Sequence, residues 1–432
     1  MLSESQKKFY KLSSFQILAT FRRGLFYSFL SIYLRFYLGL SVTETTFFAT
    51  FPLLVNILFQ NVVWGRISDK YQKRRSMIIW GEILAGIGTA LTWFVHSIQP
   101  SKHISGYVLI IGLTIIEIFW SMSNLGWTAL LSDIFKPEKI ASIRGRLTSI
   151  GGFGRIIGVM IGGLAYDGLG HHFEGWGFSS GFLFFFASAA MLLSCIPIFF
   201  LPEGGVSKSD KDKESYGKLK NESKSALKLF TLFIVSMILI NFGRNSIAII
   251  KTQYFSLDEG MALSPTMLSY IVNMRSIAMI GFGILVGVLL KKMREEWILF
   301  FSSLLSIIHL LMFTFSNSII VLFLANFLGG GSEVLIIASS YAVANYMIPP
   351  AKRGRRFAIY NATIFLSWGI AGTLIAGPIV DLLMHYGYGA LFAYKSSFLV
   401  AATITLIGII VLLIFIKKYH AFYQSEGKID FL

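Results

Sequence analysis

Cysteine, proline and charge are all scarce in this 432-residue chain, which has one Cys, nine Pro and 14% Asp, Glu, Lys and Arg. The single thiol, Cys195, lies in an apolar stretch and permits neither an internal disulfide nor a cysteine metal cluster. So little charge, beside 55% hydrophobic residues and a mean hydropathy of +0.67, excludes a water-soluble enzyme. There is no nucleotide-binding Gly-Lys-Ser/Thr loop and no plausible nucleophile-base pairing. ATP-driven pumping and membrane-bound catalysis therefore lack support, and neither an enzyme activity nor a cofactor is expected. The seven histidines show no metal-ligand spacing beyond the adjacent pair His171-His172. The opening segment, MLSESQKKFYKLSSF, has no short apolar core followed by a small-residue cleavage site. It reads as uncleaved, with the first span acting as its own signal.

What is present in abundance is long apolar runs. Six fall near residues 14–40, 43–65, 76–98, 106–132, 147–169 and 180–201, and six more near 229–252, 264–290, 297–315, 319–348, 357–384 and 394–416. Each is long enough for a helix across a hydrocarbon core of about 30 Å. Between the two sets lies EGGVSKSDKDKESYGKLKNESKSALK, residues 203–228, too polar to bury a core and read as a linker. The expected fold is an all-α membrane protein of twelve transmembrane helices in two pseudo-symmetric six-helix bundles, residues 1–202 and 229–432.

The net charge of +16 would suggest nucleic acid as the partner of a soluble protein. In a membrane protein it is read loop by loop, because basic residues accumulate on the cytoplasmic side. Both termini, the linker and alternate loops hold all but nine of the 38 Lys and Arg. The opposite side holds Arg35, Lys102, Lys251 and Lys395, and Arg22, Arg23, Arg155, Arg244 and Arg275 fall inside apolar runs. Both termini and the linker should thus be cytoplasmic.

The halves repeat one another at an offset of roughly 220 residues, as transporter folds built by duplication do. Gly65-Arg66-Ile67-Ser68-Asp69-Lys70 recurs, degenerated, as Gly287-Val288-Leu289-Leu290-Lys291-Lys292. Leu40-Ser41 matches Leu263-Ser264, and Phe21-Arg22-Arg23 matches Phe242-Gly243-Arg244. Arg144-Gly145-Arg146 has a counterpart in Arg353-Gly354-Arg355, each opening a glycine-spaced span that closes on Asp167 or Asp381.

With these features the chain resembles the major facilitator superfamily of secondary transporters over nearly its whole length. The most specific motif is Gly65-Arg66-Ile67-Ser68-Asp69-Lys70-Tyr71-Gln72-Lys73-Arg74-Arg75 between spans 2 and 3, which departs from the family pattern at Gln72, where glycine is usual. The resemblance implies that this loop helps close the cytoplasmic side, making Gly65, Asp69, Arg74, Asp133 and Arg144 gating candidates. Gly65 would let helices approach closely. Span 5 carries Gly151, Gly152, Gly154, Gly158, Gly162 and Gly163, similar to the glycine motif of the superfamily's antiporters, with Val159 where proline is usual. Gly377-Pro378 in span 11 is the closer match to a Gly-Pro step. Residues 106–132 contain no arginine, where drug-proton antiporters typically carry one.

In the resembled fold spans 1, 4, 7 and 10 line a central cavity, and each of them here carries a charge: Arg23, Glu117, Arg244 and Glu333. Charges inside a bilayer cost at least ~2.5 kcal/mol, so they face the bundle interior or a wet cavity. Tyr27 follows Arg23 at a helical step, and Asn241, Arg244 and Asn245 share a face. Ser121 and Asn124 lie on the face of Glu117, and Tyr341 adjoins that of Glu333. Planar guanidinium groups bind carboxylate or phosphate bidentately, so Arg23 and Arg244 point to an anionic or zwitterionic substrate, with Tyr27, Ser121, Asn124, Asn241, Asn245 and Tyr341 as further contacts. A desolvated carboxylate takes up protons near neutral pH unless an arginine pairs with it, which makes Glu117 and Glu333 the proton-coupling candidates. Arg22 is expected to snorkel or pair with a neighbouring helix, and Glu82 to partner a nearby arginine. Arg155 and Arg275 are further possible anion contacts.

The expected function is proton-coupled export of an amphipathic anionic or zwitterionic small molecule by a monomer in the cell (inner) membrane. Its partners would be the substrate, protons and membrane lipids, with no nucleic acid and no metal. Uptake of an organic acid or sugar derivative by proton symport is the alternative within the class. A non-transporting receptor remains open, as does a lipid flippase, since Arg23-Gly24 also resembles lipid-translocating members.

Overall fold

The computed structural model describes residues 4–135, 137–171, 173–205, 224–348 and 353–425, which are helical with no strand among them. The linker expected at 203–228 lies mostly outside these residues, as does His172, and the side chains of Arg353 and Arg355 are not described.

Among the described residues, eleven helices are long and apolar enough to cross a membrane: α2 (Val42–Tyr71), α3 (Arg74–Ser97), α4 (Lys102–Ile134), α5 (Ile143–Tyr166), α6 (Phe182–Phe199), α7 (Ser225–Phe255), α8 (Pro265–Lys292), α9 (Glu295–Phe315), α10 (Ile319–Met347), α11 (Arg356–His385) and α12 (Ala390–Phe422). They follow α1 (Glu4–Ile32), whose 29 residues rise about 43 Å. Helix α1 is long enough to span, but the lysines of its first turns and the Arg22-Arg23 pair near its middle keep it below the apolarity of the others.

The chain divides into two compact units. One is Met1–Glu214 with Ala262–Asn273, and the other is Ser215–Met261 with Met274–Leu432. In the first, α1 packs on α5 and α6, α3 on α4 and α6, and α2 on α4. In the second, α7 packs on α11 and α12, and α9 on α10 and α12. Four of the first unit's five pairings thus recur in the second six helices later, as the internal repeat leads one to expect. The opening turns of α8 group with the first unit, where Ser269 Oγ donates to the Val159 carbonyl at 3.1 Å and Asn273 Nδ2 to that of Ile156 at 3.2 Å.

The glycine stripe of α5 sets the closest of these contacts. A Cβ at Gly154 would collide with the Ile17 carbonyl, at Gly158 with that of Phe21 and at Gly162 with that of Leu25, while Gly24 returns the contact against the Arg155 carbonyl. Backbones meet because no side chain intervenes, which is how membrane helices gain dispersion energy where lipid is as apolar as leucine. Gly65 is different. It follows a π-helical turn, Gln60–Trp64, and only the Gln60 carbonyl lies within 4 Å of where its Cβ would stand. Among the described residues the close helix approach expected at Gly65 is therefore not made there, and it is α5 that supplies such an approach.

Candidate functional site

In the first unit α1, α2, α3 and α4 bring a set of charged and amide groups together. Arg22 is 1% exposed and pairs with Glu82 of α3, Nη1 to Oε2 at 3.2 Å. The other Glu82 oxygen accepts from Ser123 Oγ at 2.7 Å. Two Arg22 nitrogens have no hydrogen-bond acceptor, and the Trp120 ring stands in, with the guanidinium 4.4 Å from its centre. Arg23 also lies over Trp120, at 4.5 Å, and donates to Asn124 Oδ1 at 3.5 Å. One indole thus receives two guanidinium groups, a cation-π arrangement that favours both while leaving the more exposed Arg23 accessible. Glu117, 8% exposed, accepts a hydrogen bond from Asn56 Nδ2 of α2.

The second unit holds a counterpart. Glu333 of α10 is paired with Arg275 of α8, whose Nε stands 2.9 Å from Oε2. The Arg275 guanidinium lies 4.9 Å from the Trp368 ring centre. Tight passage of α8 against α10 allows this, since a Cβ at Gly330 would collide with the Arg275 carbonyl. In both units the acid at mid-span in the fourth helix of the repeat is thus met by a polar residue of the second helix, an amide in one and a guanidinium in the other.

Arg244 of α7 is 6% exposed and donates from Nε to Asn241 Oδ1 at 3.0 Å, but its Nη2 is buried with no hydrogen-bond partner among the described residues. Asn241 is held in turn by Nδ2 on Thr363 Oγ1 at 3.4 Å, and Asn245 Nδ2 donates to Ser367 Oγ at 2.8 Å. Arg244 and Asn245 line a polar cavity of about 40 Å³ that is shared with Lys251, Arg275, His309, Asn326 and Glu333. Lys251 Nζ reaches Asn326 Oδ1 at 3.4 Å.

The expected residues divide accordingly. The structure brings together Arg23 with Asn124 and Arg244 with Asn241, and it places Arg244, Asn245 and Glu333 around one cavity. Ser121 is fully buried and donates to the Ile118 carbonyl of its own helix at 2.8 Å. Tyr27 packs on Phe26 and Phe48, and Tyr341, 53% exposed, packs on Phe357 at 5.3 Å and is not among the residues lining the cavity. Glu82 and Arg22 are the structural pair that an intramembrane charge demands. Lys251 and His309 are not among the expected site residues, because the charge sorting assigns Lys251 to the side opposite the cytoplasm and His309 shows no ligand spacing. The first helical stretch of α7 ends at Ser246, and after a turn a short helix, Ile250–Phe255, places Lys251 at the cavity.

At the other set of candidates, Arg74 is 8% exposed and bonded to both the carbonyl and the hydroxyl of Ser68. Asp133 lies 3.5 Å away and Asp69 4.0 Å. Asp133 also accepts from the Gly205 N–H at 2.8 Å, and Arg75 pairs with Glu203 at 3.0 Å, so the segment after α6 is tied to the loop between α2 and α3. Arg144 is exposed on the first turns of α5, apart from this network. Gln72 adopts φ 53° and ψ 26°, the left-handed conformation in which glycine is favoured, and so does at a steric cost what the usual glycine would do freely.

The profile of the Major Facilitator Superfamily matches residues 12–254 and 232–427. The chain belongs to the Major Facilitator Superfamily. Multidrug resistance protein MdtG of Yersinia enterocolitica (serotype O:8 / biotype 1B) is 24% identical over 346 residues, covering 79% of this chain and 76% of that protein. Among solved structures, a mutant of the nucleoside transporter NupG aligns with a TM-score of 0.74 at 14% identity, covering 94% of this chain and 99% of that one. A D-xylose-proton symporter aligns with a TM-score of 0.69 at 13% identity, covering 93% and 97%. The protein is therefore a multi-pass integral membrane transporter of this superfamily, with the all-helical fold expected of it.

Proposed function

We propose that the protein is a twelve-span secondary transporter of the inner membrane, with α1 as the twelfth span and both termini cytoplasmic, exporting an anionic or zwitterionic amphipathic small molecule by alternating access in exchange for protons. The observation that carries the substrate reading is the buried Arg244 Nη2, a charged donor with no partner at the wall of a polar cavity. A buried, unmatched donor costs about 1–3 kcal/mol or more when charged, and an anionic ligand group removes that cost. Arg23, held over Trp120 but accessible, offers a like group in the first unit. Export is supported by the multidrug resistance relative, and the glycine-lined contact of α1 with α5 agrees with it.

Glu117 is the proton carrier in this reading, in preference to Glu333. An amide works with either protonation state, because Asn56 donates through Nδ2 to a carboxylate and, flipped, accepts through Oδ1 from a carboxylic acid. Arg275 only donates, so protonating Glu333 would weaken a charge-assisted bond and give the new O–H no acceptor on Arg275. Glu117→Gln should abolish transport driven by a pH gradient in proteoliposomes while leaving substrate exchange without a gradient within about threefold of wild type. Gradient-driven transport that persists in the variant removes Glu117 from coupling. The network of Asp69, Arg74 and Asp133 is proposed to bias the cytoplasmic gate, since a contact made in one conformation and broken in the other shifts their equilibrium.

A further inference from the structure

The hairpin that joins α9 to α10 leaves a groove of about 740 Å³ on the second unit, walled by Ile308, Leu311 and Phe315 of α9 and bounded at its rim by Ser316, Asn317 and Ser318. From Ile308 to Phe315 the helix rises about 10 Å, a third of a hydrocarbon core of about 30 Å. Phe315 is 74% exposed and Ile308 42%, so the apolar wall opens outward, where acyl chains lie. Polarity is confined to one end. At that end Ser316 Oγ accepts from the Ser318 N–H at 3.0 Å, which leaves its own O–H to donate.

A cation stands at the same end. Of the four Lys and Arg that the charge sorting assigns to the side opposite the cytoplasm, three are engaged inside the protein. Arg35 donates to the Leu40 carbonyl at 2.8 Å, Lys102 lies 4.3 Å from the Tyr37 ring centre, and Lys251 reaches Asn326. Lys395 of α12 instead reaches the rim of the groove, where Nζ donates to Asn317 Oδ1 at 2.7 Å. That amide carries no charge, and Lys395 makes no ion pair among the described residues. Basic residues are depleted on this side of a membrane, so a lysine at the polar end of a lipid-facing groove calls for a reason.

From the groove and its single cation together, we infer that the α9–α10 groove holds an acyl chain of a phospholipid of net negative charge, with the head-group phosphate against the Lys395 ammonium and the Ser316 and Ser318 hydroxyls. An amphiphile fits because the groove is apolar along its length and polar at one end only. Net negative charge follows from an ammonium with no acid beside it, since a zwitterionic head would bring a second ammonium to a site that already has one. The lipid is bound at this site and not carried, and the site is separate from Arg23 and Arg244.

Photo-crosslinking of the full-length protein in phosphatidylcholine nanodiscs is the test, with trace phosphatidylglycerol or phosphatidylcholine carrying a diazirine on one acyl chain and the labelled peptides mapped by mass spectrometry. Phosphatidylglycerol should label residues 308–321 about fivefold more than phosphatidylcholine does, the worth of one basic side chain beside an anionic lipid. Lys395→Gln, which keeps a donor for Asn317, should remove that preference while leaving the labelling beside the exposed Lys291 and Lys292 of α8 unchanged. Lys395→Arg should retain it, because the charge is kept. Leu311→Trp, which fills the groove, should lower the labelling of 308–321 by both lipids. Equal labelling of 308–321 by the two lipids in the wild type overturns the inference, as does a preference that survives Lys395→Gln. Labelling undiminished in Leu311→Trp overturns the groove as the seat of the chain.

Discussion

A charge in the middle of an apolar helix persists only with a partner, and Arg22 shows how completely that rule can be met. It is 1% exposed, paired with Glu82 and stacked on Trp120. Removing one member of a buried pair leaves the other uncompensated, so Glu82→Ala should destabilise the protein by about 3–5 kcal/mol, whereas Arg22→Met with Glu82→Leu should recover most of the loss. Unfolding in detergent measures both. Recovery no better in the double variant would mean that the Ser123 bond to Glu82, and not the ion pair, holds the cluster. This pairing was legible in the sequence because an acid in span 3 has few reasons to be there other than a nearby arginine. The cavity's Lys251 and His309 were not legible. A lysine at the end of an apolar run looks the same whether it faces water or a cavity, and only the turn after Ser246 and the short helix to Phe255 decide.

Helix contact in the first unit depends on where side chains are absent. Gly158 faces the Phe21 carbonyl so closely that any Cβ must push α1 and α5 apart, whereas nothing lies within 4 Å of a Cβ at Gly283 in α8. Gly158→Ala should therefore cost about 1–3 kcal/mol of stability, and Gly283→Ala should be neutral or gain up to about 1 kcal/mol from helix propensity. Equal effects in thermal unfolding would show that the α1–α5 contact is not under the tension described. Gln72 offers the reverse case. Its left-handed backbone carries a side-chain penalty, so Gln72→Gly should stabilise the protein by up to about 1 kcal/mol in the same measurement, and a loss would show that the Gln72 side chain contributes more than its backbone costs. The α5 stripe was readable from its three- and four-residue spacing. The close helix approach expected of Gly65 is not found among the described residues, because a lone glycine in a motif does not reveal whether its neighbour is another helix or, as here, the turn before it.

Over the whole chain, the repeat of motifs at roughly 220 residues reappears as a repeat of helix neighbours, and membership of the superfamily follows from the match along nearly its full length. The apolar runs located eleven of the helices well because length and hydropathy decide a span. They located α1 less directly, since Arg22 and Arg23 reduce the very signal used to find it. The side-chain partnerships that separate Glu117 from Glu333 depend on which neighbouring helix each acid meets, and no spacing within a single span records that. The central claim is that this transporter carries a molecule held by the buried guanidinium of Arg244. Counterflow in proteoliposomes, using the ligand that most stabilises the wild-type protein, tests it most directly. The account predicts transient accumulation by the wild type and at least about a tenfold loss in folded Arg244→Gln. Undiminished counterflow in that variant would contradict it.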